Sequence, residues 1–115
     1  MARVAAFIPD LLFGSRVLND LQAAGHEVTL VASPDGAGGA DALVVDLTAD
    51  VETRIAAVGR PGIPVLAFYS HVEVDVREQA LAAGFDLVVP RSRVAREGAR
   101  LLEGLLGRAS GPGLE

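Results

Sequence analysis

Ala42-Leu43-Val44-Val45-Asp46-Leu47 is a short apolar run that carries one carboxylate near its end. It is too short for a core helix and rich in β-branched valine, so it reads as a strand buried on both faces. The strand covers Ala42 to Val45 and ends at Asp46. Similar runs recur on either side of it. Val4 to Ile8 and Val28 to Ala32 precede it, and Ile63 to Phe68 and Leu87 to Val89 follow it.

Between these runs the pattern changes to helical spacing. Ser15 can cap a helix to about Ala24, with Val17, Leu18, Leu21 and Ala24 on one face and Gly25 as its stop. Val51, Ile55 and Val58 mark a short helix with Asp50 as its cap. Asp75 and Glu78 form a capping-box-like pair for a helix from about Val76 to Ala83. A last helix from about Val94 to Leu106 turns Val94, Leu101, Leu102, Leu105 and Leu106 inward. Five apolar strands alternating with helices predict a doubly wound, three-layer parallel α/β sheet. One link is short. Ser33 to Gly39 is rich in Pro, Asp and Gly, so the helix between strands two and three is predicted to be missing. One sheet face is then thinly covered there.

The chain has 115 residues, half of them apolar and 22% charged, which fits one domain over 1–108 with a flexible tail over 109–115. The net charge is −5, and all ten basic residues are arginine. The lack of lysine excludes Schiff-base and P-loop chemistry. The lack of cysteine excludes thiol catalysis, disulfides and the common zinc sites. An acidic balance with few aromatics argues against nucleic-acid binding. No apolar run reaches the length of a membrane span, and the start of the chain is too short to read as a signal peptide, so a cytoplasmic location is expected.

Ligands of an open parallel sheet bind beyond the carboxyl ends of its strands. The residues at those ends are Pro9-Asp10, Asp46, Tyr69-Ser70-His71 and Pro90-Arg91-Ser92. Two carboxylates, a hydroxyl and a guanidinium thus fall on one rim. Asp10 and Asp46 can hold a hard cation through oxygen, with waters completing an octahedron. Asp46 can attack a phosphoryl donor, and Ser70 and Arg91 can bind its oxygens. The plainer readings are that Asp46 caps a turn, Asp10 caps a loop and Ser70 satisfies a strand end. His71 follows Ser70 directly, so the two side chains diverge and make no Ser-His pair.

This arrangement resembles the receiver (CheY-like) domain of bacterial two-component response regulators. Ala42-Leu43-Val44-Val45-Asp46-Leu47 resembles the phosphoacceptor strand. Ile63-Pro64-Val65-Leu66-Ala67-Phe68 resembles the strand that leads to a Thr or Ser. Ala83-Gly84-Phe85-Asp86 resembles the turn before strand five. Asp10 to Ser15 and Ser70-His71-Val72 are also similar to a little-characterised receiver-like subgroup. The resemblance covers roughly the whole chain and implies a flavodoxin-like sheet of order 2-1-3-4-5. It further implies Asp46 as phosphoacceptor, Asp10 and Asp46 as ligands of Mg2+, and a histidine kinase or other signalling protein as partner.

The chain departs from the family pattern at four places. Pro9 replaces the first acid of the pair, Tyr69 stands where the Thr or Ser falls by direct count, Arg91 stands for the Lys, and Ser92 for the following proline. Arginine is bulkier than lysine and cannot lose its proton, so Arg91 is expected to pair with Asp46 and fill the site. The reading is a stand-alone pseudo-receiver, not an enzyme, that acts by partner binding. One alternative is a small flavodoxin-like ligand-binding protein or enzyme that uses the Asp10/Asp46/Arg91 rim. A structural reading makes Leu11-Leu12-Phe13 and the thin cover near Ser33 to Gly39 an interface, with a homodimer as its outcome.

Overall fold

The computed structural model describes residues 2–70 and 74–110. Strands β1 (Arg3–Phe7), β2 (Glu27–Leu30), β3 (Ala42–Asp46), β4 (Val65–Tyr69) and β5 (Leu87–Pro90) form one parallel sheet in the order β2-β1-β3-β4-β5. Helices α1 (Leu11–Ala23), α2 (Val51–Val58), α3 (Val74–Ala82) and α4 (Arg91–Ser110) cover it. This is the doubly wound α/β architecture expected from the strand pattern. β3 and β4 are buried along their whole length, as continuous apolar strands between two helical layers must be.

Side chains alternate between the two faces. On one face, Val4, Ala6, Val44, Leu66 and Phe68 pack with Val17 and Leu21 of α1 and with Leu102 and Leu105 of α4. On the other, Leu43, Val45, Val65 and Ala67 pack with Val58 of α2 and with Val76 and Ala80 of α3. Burying each large side chain contributes about 1.5–3 kcal/mol, so these two layers dominate the stability. The inward face of α4 is the one its spacing predicts, with Val94, Leu101, Leu102 and Leu105 buried.

Only a 3-10 turn over Pro34–Ala37 lies between β2 and β3, so the crossover helix is missing as expected. The turn compensates in two ways. Ala37 is buried in the layer that holds Ala5 and Leu43, and Gly36 sits hard against Val31. The strip that stays open carries Arg3, Glu27, Thr29 and glycines around a cleft of about 420 Å3. The sheet needs no helix there because its open strip carries polar and small residues.

Helix boundaries differ from the sequence reading in instructive ways. α1 begins at Leu11, four residues before Ser15, because Asp10 caps it. Asp50 caps nothing through its side chain. It adopts a left-handed backbone (φ 48°, ψ 44°), a region that aspartate and asparagine enter more readily than other non-glycine residues. α3 starts at Val74, which puts Asp75 inside its first turn. α4 runs from Arg91 to Ser110, beyond the expected span, so the helix takes in the first two residues of the predicted tail, 109 and 110. Residues 111–115 lie outside the described residues. α4 bends at Glu97 (φ −133°, ψ 21°), and Arg16 Nη2 donates to the Ala95 carbonyl beside the bend at 3.2 Å. Among the described residues, no helix is long and apolar enough to cross a membrane.

Candidate functional site

Strand register brings the rim together. Phe7 pairs with Val45, Asp46 with Phe68, and Tyr69 with Pro90, so four strands end at one level. Asp10, Asp46, Ser70 and Arg91 all leave the sheet at this carboxyl edge. His71 lies outside the described residues, so its divergence from Ser70 is not described either.

Asp46 is the one buried charged or polar residue among those described, at 3% exposure. Its Oδ1 accepts from the Thr48 backbone N–H at 2.8 Å and from the Thr48 hydroxyl. This is the turn-capping role of an aspartate two residues before the donor. Arg54 Nη1 lies 3.6 Å from the same Oδ1 and donates to the Asp46 carbonyl oxygen at 3.0 Å. Arg54 Nη2 lies 3.7 Å from Asp50 Oδ2, and its guanidinium carbon is 5.9 Å from the centre of the Phe7 ring. One arginine from the first turn of α2 therefore spans the whole loop after β3.

Asp10 has a different partner set. Its Oδ1 accepts from the backbone N–H groups of Leu12 and Phe13 at 3.0 and 3.2 Å, the N-cap arrangement. Its Oδ2 lies 3.6 Å from Arg91 Nη2. Arg91 also lies over the Phe13 ring, with its guanidinium carbon 4.4 Å from the ring centre. The expected Arg91–Asp46 pair is thus not formed. Phe13 and Asp10, both fixed by the start of α1, draw Arg91 to the β1 side of the rim, while Arg54 serves Asp46.

Arg54 is the neighbour of Asp46 that sequence reasoning misses. Its signal is its place four residues after Asp50 and eight after Asp46, one turn into the helix that follows the acidic strand end. Ser70 is half-buried, and no described contact joins it to Asp46 or Asp10. Tyr69 points into the α3 side of the core at 9% exposure, packed in the layer of Phe7, Val76 and Ala80. The position at which the resemblance expects a Thr or Ser is therefore taken by a core aromatic. Leu11 and Leu12 are exposed at the start of α1.

These residues fit a divalent cation poorly. Magnesium needs free carboxylate oxygens and open positions for water. Asp10 spends one oxygen on its helix cap, and both carboxylates already have a guanidinium beside them. Arg91 lies beside Asp10, and Arg54 beside both Asp46 and Asp50, so the two guanidinia offset most of the carboxylate charge without any added ion. Among the described residues, no group of three or more His, Cys, Asp or Glu is arranged to hold a metal.

No family model matches the chain, and no curated protein matches it by sequence. Solved structures do match in shape. A response regulator from Thermotoga maritima superposes with a TM-score of 0.77 at 16% identity, over 91% of this chain and 97% of its own. A receiver domain from Methanospirillum hungatei gives 0.77 at 17% identity, over 94% of this chain and 95% of its own. The receiver domain of a Pseudomonas aeruginosa sensor histidine kinase gives 0.75 at 20% identity, over 92% of this chain and 98% of its own. That structure has magnesium coordinated in its active-site cleft. Identities this low speak for the fold alone. The chain has the fold of the response-regulator receiver domains, in a form that lacks the helix between strands two and three.

Proposed function

We propose that this chain is a receiver-like signalling module with a degenerate phosphoacceptor site, acting by binding a protein partner. The observation that carries the reading is the position of Arg91. The resemblance puts a lysine at this place, whereas this chain has a guanidinium held on Asp10 and Phe13. In this position the guanidinium is directed to Asp10 and Phe13 rather than to Asp46, where it would have to meet a phosphoryl group. Tyr69 supports the same reading, because its ring is in the core where a hydroxyl is wanted. Asp46, Ser70 and Arg91 remain at the rim as the remnant of a site, and Asp10 is a helix cap first. Mg2+ has no role in this reading. The partner is a histidine kinase or another signalling protein in the cytoplasm, and a homodimer is one form such binding can take.

The test is exposure of the pure protein to acetyl phosphate with Mg2+, followed at once by borohydride trapping and mass spectrometry. The expected result is unmodified Asp46. Trapped product at Asp46 overturns the reading.

A further inference from the structure

We infer that Arg54 is a built-in counter-ion for Asp46, supplying from within the chain the charge that a divalent cation would otherwise have to bring. The inference rests on the degenerate-site reading and names the group that closes the site.

A carboxylate this buried cannot stand alone, because desolvating an unpaired charge costs several kcal/mol or more. Thr48 supplies two hydrogen bonds but no charge. Arg54 is the cation within reach among the described residues. Its side chain is only 13% exposed and that of Asp46 only 4%, so solvent screens the pair weakly. The flat guanidinium has three further neighbours: it donates to the Asp46 carbonyl, and it lies 3.7 Å from the exposed Asp50 carboxylate and 5.9 Å from the centre of the Phe7 ring. A planar fork can meet these partners together, and neither a compact ammonium nor a hydrated metal ion can.

The backbone conformation of Asp50 points the same way. It is left-handed, a region that aspartate tolerates better than most residues, and the Asp50 carboxylate lies 3.7 Å from Arg54 Nη2. The loop from Asp46 to Asp50 is thus folded around the guanidinium. A tethered arginine also acts at a high effective concentration that no free ion can match at ordinary levels. A second positive charge entering beside it meets like-charge repulsion in a poorly screened place. Arg54 therefore disfavours a divalent cation beside Asp46 and ties the loop after β3 to α2.

The test is a titration with Mn2+ read by paramagnetic broadening of the backbone amides of Asp10, Asp46 and Thr48. It uses the wild type, R54M and R54Q. Met keeps the packing against Phe7, and Gln keeps a donor for the Asp46 carbonyl, so either variant that retains the wild-type amide spectrum can serve. The wild type is expected to show no selective broadening at these three amides. The variants are expected to gain it, at Mn2+ concentrations at least about tenfold below the highest one that leaves the wild type unbroadened. Adding D46N to the responsive variant is expected to abolish the gain. Selective broadening in the wild type overturns the inference, as does its absence from every folded Arg54 variant. A wild type that binds Mn2+ at Asp46 yet stays unmodified by acetyl phosphate overturns this inference alone. A wild type that is phosphorylated overturns the functional reading beneath it.

Discussion

The Arg91 guanidinium lies 4.4 Å from the centre of the Phe13 ring, and its Nη2 lies 3.6 Å from Asp10. Phe13 in turn meets Phe68 edge to face, with ring centres 5.0 Å apart and planes at 62°. The rim is therefore stacked in sequence: guanidinium, α1 aromatic, β4 aromatic. Arg91 is oriented by a core residue as much as by a charge.

Phe13 should consequently matter far more to stability than the cation it carries. F13A removes a ring that is 7% exposed and is expected to cost about 3–5 kcal/mol. R91A loses a half-exposed ion pair and one cation–ring contact, together worth about 1 kcal/mol. Urea unfolding of both variants measures the difference. Equal losses would show that Arg91 supports Phe13 as much as Phe13 supports Arg91, and the stacking order would be wrong.

Asp10 separates capping from ion pairing. D10N keeps a side-chain oxygen for the Leu12 and Phe13 N–H groups and gives up only the pair with Arg91. Its stability should stay within about 1 kcal/mol of wild type, since that pair is half-exposed. D10A loses the cap as well and is expected to cost about 1–2 kcal/mol. Thermal melts rank the two. A D10N loss as large as that of D10A would make the ion pair, and not the cap, the main role of this residue.

The shortened crossover makes its own forecast. A Cβ on Gly36 would fall 2.9 Å from Val31 Cγ1 and 3.0 Å from Val31 Cβ, whereas one on Gly38 would meet nothing within 4 Å. G36A is expected to cost about 1–3 kcal/mol by overpacking. G38A should lie within about 0.5 kcal/mol of wild type. If both are neutral in urea titrations, the turn is not a packed substitute for the missing helix.

Much of this fold is legible in the sequence because the signals are local and redundant. Ala42 to Asp46 and Val65 to Tyr69 are apolar almost throughout, and only a strand between two helical layers needs that. Pro34, Asp35 and Gly36 exclude a long helix before β3, and the structure has only a 3-10 turn there. The site is less legible because its partners are chosen in three dimensions. Arg91 and Arg54 both lie at the carboxyl edge of the sheet, and the family resemblance favours the first as partner of Asp46. Phe13 decides otherwise, since its ring captures Arg91 and leaves Asp46 to Arg54. The Asp10 cap is legible only as a plain alternative. Ser15 has the better capping signature in sequence, yet it is Asp10 that accepts from two N–H groups. The left-handed backbone at Asp50 has only a weak sequence signal, since aspartate enters that region more readily than most residues but does so at few positions.

On the proposed reading, the site around Asp46 is closed to a phosphoryl group. The most direct measurement is an amide NMR titration of the wild type with Mg2+ and beryllofluoride, a phosphoryl analogue. No saturable shifts are expected at Asp10, Asp46, Thr48, Ser70 or Arg91. Saturable, Mg2+-dependent shifts at Asp46 and Ser70 would contradict the reading and mark the chain as a working phospho-receiver.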